Sequence, residues 1–188
     1  MRHLILTLSV IFLSISSSFA QTKVGEATLP NTVTVGEHNL ELNGAGIREK
    51  LWFDLYACGL YVGKKGASAK EIVDADSPML IKLEILSSLV SKKKLVEAFK
   101  DGIDESNEIS DVNRLNKKIE LFLQFIKGDI VKGDVFDIAY SPNTGLKLLK
   151  AGKELGKIEG LDFKKLVFNI WLSKTSVDDD LKNKLVKK

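Results

Sequence analysis

The longest strand-like run of the chain reads IREKLWFDLYACGLYV and extends from Ile47 to Val62. In an extended strand, its odd positions from Leu51 to Tyr61 would share one face, and its even positions from Trp52 onward would share the other. Both faces are largely apolar, which predicts a strand covered on both sides, by helices or by a second layer and a ligand cavity. We therefore expect this run to form the centre of the fold.

The segments around this run predict further strands and helices. Strand signals occur at 32–35, 39–43, 79–86, 135–140, 146–149 and 154–158, and Gly44-Ala45-Gly46 interrupts the pattern before the long run. Helical spacing follows Ser91, Ser110 or Asp111, Asp162, and Ser176 or Asp178, and a short capped helix is predicted after Ser68. Strands in sequential groups, with helices between and after them, favour an antiparallel α+β domain over a doubly wound parallel fold.

The first twenty residues have the organisation of a secretory signal peptide. A basic tip at Arg2 precedes an apolar run from Leu4 to Ile15, and small residues follow up to Ala20. The run is shorter than the roughly 20 apolar residues that a membrane-spanning helix needs, and no later segment is apolar enough to span. We expect cleavage before Gln21, export to the periplasm, and one domain at residues 21–188.

The composition excludes several classes of function. The chain has 188 residues and a formal net charge of +3, without a basic stripe, so we expect no nucleic-acid partner. It has two histidines, of which only His38 follows the predicted cleavage point, and its single cysteine is Cys58. These numbers exclude an internal disulfide and disfavour a Ser-His-Asp triad or a zinc site, so we expect no metal and no cofactor.

Two separated motifs resemble the chalcone isomerase-like family. The first is LNGAGIR at Leu42–Arg48, followed by YACGLY at Tyr56–Tyr61. The second begins with Gly160, Asp162 and Phe163, continues to IWL at 170–172, and ends with the acidic start of a last helix at Asp178. The motifs occur in the right order from about Asn31 to Leu185, and they are most similar to the secreted bacterial branch of that family.

The resemblance implies an open-faced β-sandwich, in which a layer of helices covers one face of a long, mostly antiparallel sheet and a pocket lies between them. The plant enzymes close a flavanone ring, and their turn arginine, which holds the developing oxyanion, corresponds to Arg48. Tyr56 replaces the plant threonine, as it does in the fatty-acid-binding members. The other catalytic positions correspond to Ser91 and Ala98, which lack the required groups, so efficient cyclisation is not expected.

Four residues are candidates for ligand contact: Arg48, Tyr56, Trp52 and Cys58. Arg48 and Tyr56 would hold a polar head group, although Arg48 could also stabilise the glycine turn, and the aromatic side chains could simply fill the core. Asp54 is a possible partner of Arg48. On one unbroken strand, the Cα atoms of Arg48 and Tyr56 would be about 26 Å apart, which favours a long acyl chain unless the strand bends.

The sequence therefore favours a secreted protein that binds a small apolar or amphipathic acid, such as a fatty acid, without converting it. Two alternatives stay open: an isomerase of the intramolecular lyase type that acts on an enone through Arg48, and an envelope protein without a ligand. Lys92, Lys93 and Lys94 form either a solvated helical turn or a site for an acidic ligand or an anionic surface, because cations at a helix start oppose its dipole. The oligomeric state stays open.

Overall fold

The structure is a computed structural model that describes residues 20–186, so the predicted signal peptide lies outside the described residues except for Ala20. The strands are β1 (Gln21–Val24), β2 (Ala27–Pro30), β3 (Thr32–Val35), β4 (His38–Lys50), β5 (Phe53–Val62), β6 (Met79–Ile85), β7 (Val135–Ser141), β8 (Gly145–Lys150) and β9 (Lys153–Ile158). The helices are α1 (Ala69–Asp74), α2 (Lys92–Ser106), α3 (Ile109–Gln124), α4 (Leu161–Leu172) and α5 (Asp179–Leu185).

Strands β3 to β9 form one sheet in which each strand pairs with the next strand along the chain. The order is β3-β4-β5-β6-β7-β8-β9, and every pair is antiparallel. Such a meander needs only short connections between neighbours, and the helices are inserted after β5, after β6 and after β9. The predicted α+β class with an antiparallel sheet is confirmed.

Strand β5 is covered on both faces, as its two apolar faces predict. Cys58 and Leu60 face the main core, where they pack with the helices. Ala57 faces the opposite side, where Leu29 of the β1–β2 hairpin covers it. Tyr61 is on this second side as well, and its hydroxyl donates a hydrogen bond of 2.9 Å to the Pro30 carbonyl. The β1–β2 hairpin had no counterpart in the sequence prediction, and it forms the second layer.

Three predicted N-caps are confirmed. Ser68, Ser91 and Asp178 each accept a hydrogen bond from a backbone N–H in the first turn of α1, α2 and α5. Helices α3 and α4 differ from the prediction. The N-cap of α3 is Glu108, ahead of the predicted Ser110 or Asp111, and that of α4 is Gly160, so that Asp162 lies inside the first turn. Polar residues are common both at the N-cap and in the first turn of a helix. The sequence pattern alone therefore does not distinguish these positions, which are two residues apart for Gly160 and Asp162.

The prediction of one strand from Ile47 to Val62 is wrong. The chain reverses at Leu51 and Trp52, and β4 and β5 form a hairpin on either side of this two-residue turn. Both turn residues have positive φ, 50° and 70°, as a type I′ turn requires. Neither residue is a usual turn former, so alternation and apolar composition concealed the reversal.

The expected interruption at Gly44-Ala45-Gly46 is also wrong, because β4 continues through it with a register shift between Leu42 and Gly44. These glycines allow helix α5 to lie directly on the strand. A Cβ atom on Gly44 would be 2.5 Å from the Leu185 carbonyl oxygen, and one on Gly46 would be 2.9 Å from a methyl group of Leu181. Glycine in a strand marks close approach of another part of the chain at this site.

Candidate functional site

A cavity of about 550 Å³ opens between the sheet and the helices, beside the end of β4, the start of β5 and the adjoining part of β6. Helices α2 and α4 form its other wall. Most of its lining is apolar, and the side chains that contribute are Leu51, Phe53, Leu55, Leu83, Leu89, Val90, Leu95, Phe99, Ile170, Trp171 and Val177. An apolar cavity with a few polar groups is the usual form of a site for a small organic ligand.

Arg48 lies in this cavity wall and is tied to the last helix. Its Nη1 donates to the Glu49 carbonyl at 2.5 Å and to Asp178 Oδ2 at 3.0 Å. Asp178 Oδ1 accepts the backbone N–H of Leu181 at 2.9 Å, so the same carboxylate caps α5 and neutralises the guanidinium. Both bonds of Arg48 leave from Nη1. Its Nε and Nη2 have no protein acceptor within residues 20–186, and they remain available to a ligand.

Tyr56 contributes a second donor to the cavity. Its hydroxyl oxygen accepts a hydrogen bond of 3.1 Å from the indole Nε1–H of Trp171. Burial raises the pKa of the Tyr56 hydroxyl above its ordinary value, so the group keeps its proton at physiological pH. Since the oxygen already accepts from Trp171, and the described residues provide no acceptor for its own O–H, that proton can be donated to a ligand.

The hairpin brings Arg48 and Tyr56 together. They are direct cross-strand partners in the β4–β5 pairing, so their Cα atoms are about 5 Å apart rather than the 26 Å of a single strand. The expected separation is therefore wrong, and the argument that only a long ligand could contact both residues no longer applies. Both residues line the same cavity.

The two other candidates lie elsewhere. Trp52 is at the tip of the hairpin turn with 97% of its surface exposed, and it does not line the cavity, because the turn breaks the alternation that placed it beside Tyr56. Cys58 is on the same face as Tyr56 but two residues deeper, fully buried in the main core. Burial raises the pKa of its thiol. The structure thus joins Arg48 and Tyr56, and it separates Trp52 and Cys58 from them.

Sequence reasoning missed the partners that orient the two donors. Asp54 was one possible partner of Arg48, but it is exposed and lies opposite Glu49 in the hairpin. The actual partner is Asp178, which sequence reasoning identified only as a helix cap. Trp171 belongs to the second motif, and only the packing of α4 on β5 shows that its indole N–H reaches Tyr56.

The positions that correspond to the other catalytic residues provide no polar group to the cavity. Ser91 caps α2, where its hydroxyl accepts the Lys94 N–H at 3.4 Å, and it is not among the cavity residues. Ala98 does line the cavity, but with a methyl group. Charged side chains from β4 and α2 complete the lining: Lys50, Lys94, Glu97, Asp101 and Glu105.

The described residues lack both a metal-binding cluster and a membrane-spanning helix. Residues 20–186 contain no group of three or more His, Cys, Asp or Glu side chains that could hold a metal ion. In the same part of the chain, no helix combines the length and the apolar character needed to cross a membrane.

Comparison with known proteins identifies the family. The model of a family described as chalcone isomerase-like matches residues 21–186. No curated protein matches the chain. Among solved structures, a fatty-acid binding protein of Arabidopsis thaliana has a similar fold, with a TM-score of 0.68 and 14% sequence identity over 85% of this chain and 91% of that one. At this identity the likeness concerns the fold. Because the family model covers the two motifs and every strand and helix of the structure, this chain belongs to the chalcone isomerase-like family.

Proposed function

We propose that the protein binds a fatty acid, or a similar amphipathic acid, in the cavity between the sheet and the helices, and does not convert it. The observation that carries the proposal is the pair Arg48 and Tyr56, which offers unengaged hydrogen-bond donors in a cavity with a mostly apolar wall. The similar fold of the Arabidopsis thaliana fatty-acid binding protein supports the same class of ligand.

The apolar wall would provide most of the affinity. Each methylene group that moves from water into the cavity contributes about 0.8 kcal/mol, so an acyl chain gains in proportion to its buried length. The volume of about 550 Å³ is within the range of roughly 300–1,000 Å³ that is usual for small-molecule sites. A mostly apolar ligand with a single polar end therefore suits this cavity.

Arg48 and Tyr56 would hold the carboxylate of the ligand. The guanidinium keeps its charge at all relevant pH values, and its Nε and Nη2 point along a fixed plane that matches two carboxylate oxygens. The protonated Tyr56 hydroxyl adds a third donor. Asp178 competes with the ligand for the same positive charge, because it already forms an ion pair with Arg48 at 3.0 Å. Removal of the Asp178 charge should therefore strengthen the binding of a carboxylate ligand.

The lining also argues against ring closure of a chalcone. That reaction needs several donors that stabilise the developing oxyanion together, and Ala98 and Ser91 supply none to the cavity. Tyr56 does not replace them as a base, since its raised pKa keeps it protonated.

The first experiment is denaturing extraction of the purified protein, followed by mass spectrometry of the extract. We expect a fatty acid in near-equal amount to the protein. Titration of delipidated protein with palmitate would then show weaker binding for Arg48→Gln and for Tyr56→Phe. The matched control is Arg114→Gln, because Arg114 is the other arginine of residues 21–188, and its exposed side chain pairs with Asp111 and Asp162.

An extract without lipid, together with no palmitate binding, would overturn the proposal. Loss of chalcone absorbance faster than the spontaneous reaction, abolished in Arg48→Gln, would instead favour the isomerase.

Export is part of the proposal and rests on residues 1–20. It predicts that protein recovered from the periplasm begins at Gln21, which N-terminal sequencing would check.

A further inference from the structure

The tip of the β4–β5 hairpin exposes three large apolar side chains in succession. The exposed fraction is 77% for Leu51, 97% for Trp52 and 54% for Phe53. We refer to these three residues as the apolar tip. Apolar side chains exposed singly are normal on protein surfaces, but three neighbours on one protruding turn form a contiguous patch. Such a patch does not contribute to the core, so folding alone does not explain it.

The backbone of the apolar tip is also unfavourable for its residues. Leu51 and Trp52 both have positive φ, a conformation that costs a non-glycine residue about 1–2 kcal/mol. The same two-residue turn with two positive φ values occurs between β8 and β9, where Ala151 and Gly152 occupy it. There the chain uses small residues, as such a turn favours. At the apolar tip it instead keeps a leucine and a tryptophan at the same two positions.

The apolar tip lies at the mouth of the cavity. Leu51 and Phe53 line the cavity together with Leu89, another exposed apolar side chain, and with the charged residues Lys50 and Lys94. Whatever contacts the apolar tip would therefore also face the opening through which a ligand enters.

Two lysines, Lys50 and Lys94, line this mouth, and two more precede Lys94 in the chain. Lys92, Lys93 and Lys94 form the first turn of α2, which has no acidic residue to complement the helix dipole. Lys93 has only a distant partner, Glu97 at 3.8 Å, and both side chains are exposed. The charges that line the cavity balance, because Glu97, Asp101 and Glu105 match its three cationic residues. The attraction for an anionic partner therefore comes from the lysines of the first α2 turn, and it is local. The apolar side chains would supply most of the binding.

We propose that the apolar tip inserts into the interface of an anionic phospholipid bilayer and holds the cavity mouth against the membrane. Tryptophan is enriched at the membrane–water interface, where its ring is buried and its N–H stays hydrated, and lysines reach the phosphates from the same depth. This surface extends the proposed function, because an acyl chain could then enter the cavity without crossing water. Its binding to lipid does not depend on what fills the cavity.

The size of the apolar tip favours a bilayer over a second protein. A large aromatic side chain presents about 150–250 Å², so the three residues expose on the order of 400 Å². A stable protein interface needs about 800 Å² from each partner. A bilayer imposes no such requirement, since a few inserted side chains with nearby lysines are sufficient for reversible binding.

The test is flotation of the chain from Gln21 to Lys188, which contains every described strand and helix, with vesicles. One set is phosphatidylcholine alone, and the other contains phosphatidylglycerol as well. We expect binding to the anionic vesicles, weaker binding to the neutral ones, and a blue shift of Trp52 fluorescence. Trp52→Gly should reduce binding about ten- to a hundredfold, the value of one buried large apolar side chain.

Trp52→Gly is suited to this test because glycine adopts the φ of 70° at that position without strain, so the variant should fold. Ile109→Ala is the matched control, since Ile109 is 71% exposed at the start of α3 and does not line the cavity. This variant should bind vesicles like the unmodified protein. Substitution of all three lysines at 92–94 by glutamine should remove the preference for anionic lipid.

Three outcomes would overturn the proposal: no binding to either kind of vesicle, equal binding by Trp52→Gly, or an equal loss with Ile109→Ala. A dimer that forms without lipid and is lost in Trp52→Gly would identify the apolar tip as a self-association surface instead. Palmitate binding in solution separates this proposal from the proposed function, because Trp52 is outside the cavity. Trp52→Gly should lose vesicle binding and keep palmitate binding.

Discussion

The ion pair between Arg48 and Asp178 predicts that removing a charged residue beside the cavity strengthens ligand binding. If Arg48 holds the carboxylate of a ligand, Asp178 competes with that carboxylate for the same guanidinium. Asp178→Asn removes the competing charge. Asparagine is as good an N-cap as aspartate, so its side-chain oxygen can keep the bond from the Leu181 N–H that begins α5. We therefore expect the variant to fold and to bind a fatty acid more tightly.

The geometry sets the size of this effect. Asp178 Oδ2 is 3.0 Å from Arg48 Nη1, and a ligand carboxylate on the other side of the guanidinium would be at a similar distance, so the two carboxylates would be about 6 Å apart. Their repulsion is about 2.8 kcal/mol at an effective dielectric constant of about 20, and about 0.7 kcal/mol in water. The two side chains are 20% and 16% exposed, between these limits. The affinity for palmitate should rise about tenfold, within roughly three- to a hundredfold.

The assay is calorimetric titration of delipidated protein with palmitate and with the alcohol of the same chain length. The alcohol has no charge, so Asp178→Asn should leave its affinity nearly unchanged. Asp180→Asn is the matched control, because it removes one negative charge from the same helical turn at an exposed position without a contact to Arg48. Unchanged or weaker palmitate binding by Asp178→Asn would refute the reasoning, as would an equal change for palmitate and the alcohol.

Trp52→Gly should raise the free energy of unfolding by about 0.5–1 kcal/mol, because relief of strain at positive φ outweighs the extra backbone entropy of glycine; a lower urea midpoint would contradict this. Gly44→Ala should lower the free energy of unfolding by about 2–3 kcal/mol, since the new Cβ would collide with the backbone of α5. Gly63→Ala is the control, because a Cβ there meets open space, and it should change the free energy of unfolding by less than about 0.5 kcal/mol. Equal urea midpoints for the two alanine variants would disprove the close packing of α5. Burial lowers the pKa of Lys164 to about 7, so above pH 7 the unfolded chain binds more protons than the folded one. From pH 7 to 9 the unmodified protein should therefore gain stability relative to Lys164→Met, by up to about 1.4 kcal/mol per pH unit. Stability profiles of the two proteins that run parallel over this range would contradict the lowered pKa of Lys164.

Much of the element order was predictable from the sequence, because it depends on local patterns. The strand signal at 79–86 predicted β6, and the helical spacing after Ser110 or Asp111 predicted α3. The caps at Ser68 and Ser91 are hydrogen bonds between residues three apart, so the sequence shows both partners at once. The turn at Leu51 was missed because its residues do not have the chemistry that such turns usually require.

The candidate site was predictable only in part. The family resemblance pointed to Arg48 and Tyr56, and the structure places both in one cavity. Their orientation depends on Asp178 and Trp171, which are 130 and 115 residues away along the chain. No local pattern could pair residues at such separations. The strand alternation that put Trp52, Tyr56 and Cys58 on one face holds for Tyr56 and Cys58 and fails for Trp52, since it assumed that the chain stays extended.

The sequence by itself determined the α+β class with an antiparallel sheet, the scarcity of His and Cys that disfavours a Ser-His-Asp triad or a zinc site, and the family. These properties follow from composition and from interactions within a few residues. Only the tertiary structure decided that Arg48 and Tyr56 are neighbours, that Asp178 neutralises the first and Trp171 orients the second, and that Leu51, Trp52 and Phe53 are exposed at the cavity mouth. Each of these depends on where the hairpin reverses and on how α4 and α5 pack on it, and packing between distant segments leaves no periodic signal in the sequence.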